Sequence, residues 1–431
     1  MIELNKIYEG KMEIVLPGFP ANYCDSIVTD PPYGLKFMGK KWDYDVPTVA
    51  QWKEAFRVLK PGGYMLAACG TRTQHRMVVN IEDAGFEIRD VITWHYGSGF
   101  PKSLDISKAI DKASGAEREV IGERNDGMRP KANGTMNFNG RDVENGVSMS
   151  QIIEITEPST DEAKQWEGWG TALKPATEFW TLCRKPLSEN TVAENVLKHG
   201  TGGINIDACR IEGSEGDDPR LGGNGSWKTD KAAKNIYEGG YAGEEIKSSA
   251  RGRFPANLIL DDFMAVELDK QSGNVLGGRN TTQATSIFGS EVKDRIQEKR
   301  ECDSGGASRF FYVAKPSKRE RNKGCEKMFW RKLNGGSHEL ITKEEYDSLP
   351  KEETAVGNIH PTVKPVQLMQ YLVRMITPKG GICFDPYAGS GSTAIAAELE
   401  DVFFIAVESI PNHVKIAENR LAANCPAYDL I

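Results

Sequence analysis

A glycine-rich segment lies between an apolar stretch and a helical stretch in the C-terminal part of the chain. Its sequence is Phe384-Asp-Pro-Tyr-Ala-Gly-Ser-Gly-Ser-Thr393. Gly389 and Gly391 allow the backbone to turn sharply and to approach a ligand without hindrance from a Cβ atom. A strand, such a turn and a helix in this order are typical of the nucleotide site of a doubly wound α/β sheet. This segment therefore predicts a Rossmann-like sheet with a ligand at the carboxyl ends of its strands.

The class of ligand can be narrowed from the residues around the two glycines. A phosphate-binding P-loop needs a following Gly-Lys-Ser/Thr and the dinucleotide motif needs a third glycine, and both are missing. Glu408, at the end of the next apolar stretch, lies 23 residues after Asp385, where a carboxylate can reach ribose hydroxyls. A Gly-x-Gly alone is more often a structural turn, so the combination is what predicts a nucleoside-bearing cofactor.

Apolar and helical stretches alternate on both sides of this segment and near the start of the chain, which predicts a parallel α/β sheet. The predicted strands are 25–29, 64–68, 88–94, 382–384 and 402–407. The predicted helices are 49–59, 73–84, 366–376, 392–400 and 414–422. Apolar patches at 178–183 and 310–314 predict two more strands. Residues 122–150 and 211–253 are rich in glycine and polar residues and predict long loops.

A second motif, Asp30-Pro31-Pro32-Tyr33, follows the first predicted strand. Each residue of this motif has a chemical use if the substrate is a planar amine. The exocyclic amino group of adenine or cytosine is such an amine: it is conjugated with its ring and is a poor nucleophile. The Asp30 carboxylate and the Pro31 carbonyl can accept its two hydrogens and favour the pyramidal form whose lone pair attacks a methyl group. Tyr33 offers an aromatic face on which a base turned out of its duplex can stack. Taken alone, the tetrapeptide would fit a surface turn equally well.

Together the two motifs resemble those of DNA amino-methyltransferases. The catalytic motif precedes the cofactor motif, and His360-Pro-Thr-Val-Lys-Pro365 precedes a helix, as in the permuted beta class with its phage, prophage and orphan bacterial members. The resemblance implies a Rossmann-like methyltransferase sheet with S-adenosyl-L-methionine as cofactor and an inserted target-recognition region. It implies double-stranded DNA as substrate and adenine N6 as acceptor, because Asp rather than Ser stands at position 30. Tyr387 departs from the family, where many members carry Phe.

The same resemblance assigns residues to roles. The catalytic residues are Asp30, Pro31, Pro32 and Tyr33. The residues expected to bind the cofactor are Asp30, Thr362, Lys364, Pro365, Phe384, Asp385, Pro386, Tyr387, Gly389, Gly391, Ser392, Thr393 and Glu408. The stretch from Thr362 to Pro365 is expected at the methionine end of the cofactor. Trp94 and Tyr96 could border the pocket of the base, although Trp94 would fit the core equally well.

The resemblance also divides the chain into three parts. Residues 1–196 and 346–431 are the two parts of the catalytic domain, and 197–345 form the inserted recognition region. The net charge is −7, but residues 309–332 contain nine Lys and Arg against two Glu, a local excess of positive charge that suits phosphates. A solvated basic face is the alternative explanation. The candidate DNA contacts are Arg309, Lys315, Lys318, Arg319 and Arg321, while the aromatic residues at 310–312 are expected in the core.

Several classes of protein are disfavoured by the remaining features. The eight cysteines include no Cys-x-x-Cys pair, so neither a metal site nor a disulfide framework is expected. No apolar run approaches the roughly 18–20 residues that cross a bilayer, and the first residues lack a secretory signal. The expected location is the cytoplasm of a bacterial or phage-infected cell, in association with the nucleoid. A homodimer and a cognate restriction endonuclease are further expected partners.

Three alternatives stay open at this point. The first is a cytosine-N4 DNA methyltransferase. The second is a methyltransferase for RNA or a protein amide, which Asp30 disfavours because those enzymes favour Asn at the first position. The third is a non-catalytic DNA-binding module, which would have been expected to lose some of Asp30, Tyr33, Gly389 and Gly391.

Overall fold

The structure is a computed structural model of the 431-residue chain. It describes residues 2–35, 43–97, 99, 103–126, 151–212, 252–276, 304–314, 318–333 and 337–425. The chain forms two compact units, one of Met1–Gly97 with Thr177–Ile431 and one of Ser98–Ala176. The predicted functional division after residues 196 and 345 stays a prediction.

The described residues form sixteen strands and twelve α-helices. The strands are β1 (Lys6–Glu9), β2 (Cys24–Thr29), β3 (Leu59–Gly70), β4 (Glu87–His95), β5 (Val120–Asp126), β6 (Gln151–Thr156), β7 (Thr177–Arg184), β8 (Leu258–Asp261), β9 (Val275–Leu276), β10 (Ser304–Gly305), β11 (Tyr312–Ala314), β12 (Phe329–Lys332), β13 (His338–Ile341), β14 (Thr354–Val356), β15 (Ile382–Asp385) and β16 (Phe403–Glu408). The helices are α1 (Met12–Val15), α2 (Val49–Val58), α3 (Gln74–Asp83), α4 (Ile106–Ser114), α5 (Asp161–Gln165), α6 (Val192–His199), α7 (Asp262–Ser272), α8 (Lys318–Asn322), α9 (Lys343–Ser348), α10 (Val366–Ile376), α11 (Ser392–Leu399) and α12 (Pro411–Asn424).

The larger unit is built on a nine-stranded sheet with the strand order β1-β16-β15-β2-β3-β7-β4-β8-β11. All neighbouring strands are parallel except β7, which runs antiparallel to both β3 and β4. The predicted Rossmann-like α/β sheet is therefore confirmed, and the expectation of purely parallel strands is corrected by β7. Because β2 and β15 are parallel neighbours, the two sequence motifs that follow them lie at the same edge of the sheet.

Helices cover both faces of this sheet. All six residues of β2 are buried, as expected for a central strand that packs on two sides. Successive residues point to opposite faces: Ile27 packs in one core with α2 and α3, and Val28 packs in the other with α10, α11 and α12. This two-sided core explains why the central strands appear as short, continuous apolar runs in the sequence.

The predicted elements agree closely with the observed ones at the two ends of the chain. Helix α10 has the predicted bounds, and β7 contains the whole apolar patch at 178–183. Strand β3 begins earlier than expected, because the predicted turn at 60–63 pairs with Lys185 through backbone hydrogen bonds of 2.9 and 3.0 Å. The two predicted long loops fall mainly on residues 127–150 and 213–251, outside the described residues, and the loop predicted from residue 122 is wrong for residues 122–126, which belong to β5.

Smaller sheets accompany the main one. In the larger unit, β13, β12 and β14 form an antiparallel sheet around the buried Trp330, whose indole donates to the carbonyl of Gly357 at 2.8 Å. In the smaller unit, β5 and β6 are an antiparallel pair. The buried Asp111 forms an ion pair there with Arg118, with 2.6 Å between Oδ2 and Nη1. Among the described helices, none is long and apolar enough to cross a membrane.

Candidate active site

The two sequence motifs line one cavity at the carboxyl edge of the main sheet. The segment after β2, the loop after β15 and the end of β16 contribute to it, together with the segment before α10. Predicted residues that line it are Asp30, Pro31, Pro32, Tyr33, Thr362, Lys364, Asp385, Tyr387, Gly389, Ser392, Thr393 and Glu408. The lining does not include Phe384, Pro386 and Gly391, which belong to β15 and the loop after it, or Pro365, which directly precedes α10.

The loop after β15 requires glycine at two positions. Gly389 has a φ of +53°, and a Cβ atom there would lie 2.9 Å from Nε2 of His360. Gly391 has a φ of +78°, and a Cβ atom there would lie 2.9 Å from the side chain of Ala417. Residues other than glycine rarely adopt this left-handed backbone conformation, and the neighbouring atoms leave no room for a side chain. The predicted reason for these glycines, a sharp turn with close approach, agrees with this geometry.

Glu408 holds this loop in place. Its two carboxylate oxygens accept backbone hydrogen bonds from Gly389 and from Ile410, both at 2.8 Å. Each carboxylate oxygen has a second lone pair, so these bonds leave acceptor capacity on a carboxylate that lines the cavity. The predicted contact of Glu408 with ribose hydroxyls stays a prediction, and the described bonds add a structural role for the same carboxylate.

Asp385 lies at the junction of the two motifs and is 3% exposed. Its Oδ1 accepts hydrogen bonds from the Thr29 hydroxyl at 2.7 Å and from the Tyr387 backbone at 3.0 Å. Burial raises the pKa of Asp385 to about 6, and the nearby Asp30 adds to the increase, while the hydrogen bonds of Thr393 and Thr29 oppose it. Burial makes the ionised form of this carboxyl group unfavourable, and a cationic ligand in the cavity would stabilise that form.

Asp30 is part of a partly buried cluster of four polar side chains, in which Lys364 is the most deeply buried. Its Oδ1 accepts a hydrogen bond from the Tyr33 hydroxyl at 2.7 Å, and its Oδ2 lies 2.8 Å from Nζ of Lys364. The same Nζ lies 3.2 Å from Oε2 of Glu178 and 3.2 Å from the Tyr33 hydroxyl. The predicted contact of Lys364 with the cofactor stays a prediction, and the structure adds an ion pair between its ammonium and the predicted catalytic carboxylate.

Charge within this cluster is shared unequally. Burial alone would lower the pKa of Lys364, but the Asp30 and Glu178 carboxylates raise it above its usual value, so the lysine is an ammonium. Burial raises the pKa of Glu178, and Asp30 adds to this while Lys364 opposes it. Burial also raises the pKa of Tyr33 well above its usual value, which keeps its hydroxyl protonated. Two carboxyl groups therefore depend on one ammonium.

Asp43 fixes the backbone that follows the catalytic prolines. It is 2% exposed, and its carboxylate accepts hydrogen bonds from three successive backbone N–H groups, those of Tyr33, Gly34 and Leu35, at 2.7, 2.9 and 3.2 Å. Hydrogen bonds to a carboxylate are stronger than those between neutral groups. Asp43 therefore holds the orientation of the tetrapeptide.

Sequence reasoning missed several residues of this cavity. They are Leu35, Asp43, Glu178, His360, Met369, Ala388, Ser390, Ser409, Ile410 and His413. His360, Ala388 and Ser390 lie within the quoted motifs but were given no role. Glu178 also carried a usable signal, because it places a charge at the start of the apolar patch 178–183, where a purely structural strand would not need it. Asp43 gave no such signal, because its role depends on a loop that returns to the tetrapeptide.

The predicted DNA contacts differ in their surroundings. The Arg309 guanidinium donates to the carbonyls of Gly305 and Gly306 at 2.6 and 2.7 Å, and Arg321 donates to the carbonyl of His360 at 2.6 Å. Arg319 is exposed. Lys315 and the side chain of Lys318 lie outside the described residues. DNA binding by these residues stays a prediction.

The aromatic residues that were expected beside the base or in the core differ in their burial. Trp94 is 8% exposed and belongs to the core, and Tyr96 packs against it with ring centroids 5.1 Å apart. Tyr312 stacks on the buried Tyr371 at 3.9 Å, in agreement with a core position. Phe310 is 43% exposed, so the expectation of a core position is wrong for this residue.

The chemistry of the cavity fits a cationic nucleoside cofactor. Its described lining contains five carboxylate side chains and one lysine. Such a lining suits a sulfonium and an ammonium group, and the glycine loop with Glu408 suits a nucleoside. Within the described residues, no group of three or more His, Cys, Asp or Glu side chains is arranged to hold a metal ion. The seven cysteines of this part are free and buried.

Comparison with known proteins gives matches that are local in sequence. Segments of the chain are 34% identical over 76 residues to the Type II methyltransferase M2.DpnII of Streptococcus pneumoniae (18% of this chain, 28% of that protein). They are 40% identical over 62 residues to the Type II methyltransferase M.HindIII of Haemophilus influenzae (14% and 20%). The matched segments thus span only 20% to 28% of the length of these relatives.

Solved structures match over most of the chain at low similarity. The PvuII DNA methyltransferase, which is cytosine-N4-specific, is 12% identical with a TM-score of 0.40, covering 98% of this chain and 91% of that one. The M1.HpyAVI complex with SAM is 12% identical with a TM-score of 0.35, covering 96% and 98%.

A family model supplies the assignment. The model described as DNA methylase (N6_N4_Mtase) matches residues 24–141 and 227–419, which is well over half of the chain. These ranges include both motifs and most of the residues that line the cavity. The chain therefore belongs to the N6/N4 family of DNA methylases and uses S-adenosyl-L-methionine as its cofactor.

Proposed function

We propose that this chain methylates the N6 amino group of adenine at specific sites in double-stranded DNA, on a base that is turned out of the duplex. One observation carries the proposal: the Asp30 carboxylate lies in the same cavity as the glycine loop of the cofactor site. An amino-group acceptor and a methyl donor can meet only where these two parts adjoin. The choice of adenine rests on Asp rather than Ser at position 30.

The residues of the chain would act by positioning and by electrostatics. Asp30 and the Pro31 carbonyl accept the two hydrogens of the amino group, so that its lone pair points away from the base and positive charge on nitrogen is stabilised. The Tyr33 hydroxyl, 2.7 Å from Asp30, fixes the carboxylate, and Asp43 fixes the backbone behind it. When bound, S-adenosyl-L-methionine supplies the electrophilic methyl group. The nitrogen would gain the methyl group as the carbon–sulfur bond of the donor breaks, the sulfur would keep the bonding electrons as a neutral thioether, and the nitrogen would release one proton to solvent.

Recognition of DNA is assigned to the region between the two motifs. Support comes from the exposed side chains of Arg319, Lys323 and Lys327 in the described part of the basic stretch. Phosphate contacts by such residues position a duplex but do not read its sequence. The homodimer and the cognate endonuclease stay predictions, and size-exclusion chromatography with light scattering tests the first of them.

The test is a transfer assay with a chemical readout. Purified protein is incubated with tritiated S-adenosyl-L-methionine and unmethylated plasmid, and the digested nucleosides are analysed by mass spectrometry. Labelled N6-methyladenine is expected. Labelled N4-methylcytosine would overturn the choice of adenine, and label in RNA or protein with none in DNA would overturn the proposed substrate.

Two variants assign the activity to the site. Asp30→Ala is expected to retain cofactor binding through the other residues of the site and to lose transfer, since the amino group loses its charged acceptor. Asp83→Ala removes an exposed carboxylate at the end of α3 and serves as the matched control. Full activity of the Asp30 variant would contradict the assigned role.

A further inference from the structure

The carboxylate that should receive the target amino group is already engaged. Oδ1 of Asp30 holds the Tyr33 hydroxyl at 2.7 Å, and Oδ2 holds the Lys364 ammonium at 2.8 Å. An ammonium at this distance withdraws charge from the carboxylate and occupies the direction of a donor. With Lys364 in place, Asp30 is a weaker acceptor for a neutral amine than a free carboxylate would be.

Lys364 has a second carboxylate within reach. This carboxylate is that of Glu178, near the start of β7, and its Oε2 lies 3.2 Å from Nζ of Lys364. The lysine is 7% exposed, so solvent cannot replace Asp30 as its partner. A buried ammonium needs a negative partner, because an unpaired buried charge is strongly unfavourable. Glu178 is the group that can keep Lys364 paired after it leaves Asp30.

The strand direction explains how Glu178 reaches this place. Because β7 runs antiparallel to β3 and β4, its first residues lie at the edge where the parallel strands end. Glu178 is the second residue of β7 and contributes a side chain to the cavity from that edge. The apolar remainder of β7 belongs to the core, so the charge at its start has no packing function.

We infer that Lys364 is a displaceable counter-ion: the target amino group takes its place on Asp30, and Glu178 retains the ammonium. Glu178 is then a positioning residue, which acts on the amine through Lys364. Without DNA the lysine neutralises Asp30, and with the target base bound it neutralises Glu178. The inference rests on the proposed function, in which Asp30 accepts a hydrogen of the amine.

A double-variant experiment on the full chain tests this exchange, with methylation of unmethylated plasmid as readout. Glu178→Gln leaves Lys364 with Asp30 as its one charged partner. We expect kcat/KM for DNA to fall at least tenfold, mainly through KM, with the affinity for S-adenosyl-L-methionine changed less than twofold. Adding Lys364→Met to this variant removes the competing ammonium, and at least a fivefold recovery over Glu178→Gln is expected.

The opposite pattern would overturn the inference. If the double variant is no more active than Glu178→Gln, Glu178 does not act through Lys364. Lys60→Met is the matched control, because it also removes an ammonium from a buried carboxylate, that of Asp25 at 2.6 Å, outside the cavity. It should leave kcat/KM unchanged, and an equal loss in this control would also count against the inference.

A second variant covers the case in which Glu178→Gln loses its fold, as judged by its melting temperature and cofactor binding. Lys364→Arg keeps the charge but can pair with Asp30 through two N–H groups, so it should be harder to displace. A tenfold loss of kcat/KM with cofactor affinity retained is expected, and wild-type activity would refute the exchange. If the wild-type chain itself places no methyl group on DNA, the proposed function fails and this inference fails with it. Additive losses in an active protein overturn the inference alone.

Discussion

Replacing Asp385 with asparagine should stabilise the protein at pH 8 and weaken its binding of the cofactor. The carboxylate is 3% exposed, and burial raises its pKa from 3.8 to about 6. At about 1.4 kcal/mol per tenfold change in an equilibrium, this difference corresponds to about 3 kcal/mol. Asparagine can still accept the hydrogen bonds from Thr29 and Tyr387 through Oδ1, while the cost of a buried charge disappears.

The sign of the pH dependence follows from the two pKa values. Between pH 3.8 and about 6 the folded protein holds a proton on Asp385 that the unfolded chain has lost. The contribution of this carboxyl to stability is therefore complete below pH 3.8 and is lost as the pH rises through 6. The free energy of unfolding of the wild type should fall, relative to the variant, by about 1.4 kcal/mol from pH 5 to pH 7.

Urea unfolding followed by circular dichroism at pH 5, 6, 7 and 8 measures this difference. The Asp385→Asn variant should gain stability over the wild type as the pH rises, and the gain should level off above pH 7. Asp83→Asn, at an exposed position, should show a constant difference from the wild type over the same range. A difference between Asp385→Asn and wild type that is equally constant would refute the reasoning.

Three other predictions concern the loop, the catalytic segment and the DNA surface. Gly391→Ala should lower the affinity for S-adenosyl-L-methionine about tenfold in calorimetric titration, since a left-handed alanine costs roughly 1–2 kcal/mol and Ala417 leaves no room for its Cβ atom. The control Gly380→Ala, where φ is +67° and no atom lies within 4 Å of the new Cβ atom, should leave this affinity unchanged. Asp43→Ala should lower kcat at least tenfold with unchanged cofactor affinity, because the backbone of Tyr33, Gly34 and Leu35 loses its acceptor. The control Asp45→Ala, at an exposed neighbouring position, should keep the wild-type kcat. Equal effects of the two substitutions on kcat would exclude the positioning role of Asp43. Arg319→Ala should weaken DNA binding at every sequence and reduce the slope of log affinity against log salt by about 1; an unchanged slope would remove Arg319 from the phosphate contacts.

The sheet could be predicted where one local rule determines the structure. The strands at 25–29 and 382–384 are buried on both faces, so the burial rule alone is sufficient to place them. The glycines at 389 and 391 were predicted for the reason that the structure gives, a left-handed turn with close neighbours. These features depend on residues near in sequence, which is why the sequence contains their signal.

The rest depends on contacts between distant segments. The antiparallel direction of β7 cannot be read from the apolar patch at 178–183, because its residues would suit either direction. The pairing of Lys364 with Asp30 and Glu178 joins three segments that only the strand order brings together. Motif resemblance placed Lys364 in the right cavity, but it gave no sign of the ion pairs with Asp30 and Glu178.

The neighbour relation of β2 and β15 has a consequence for the order of folding during synthesis. Thr29 and Asp385, joined by a hydrogen bond, are 356 residues apart, and β1 likewise pairs with the late strand β16. On the ribosome, β2 is therefore made long before its neighbour on one side exists. Contacts at such separation form slowly and leave strand edges open until they do. The nascent chain should thus keep its sheet unfinished until β15 and β16 emerge, and catalytic competence should be among the last properties to appear.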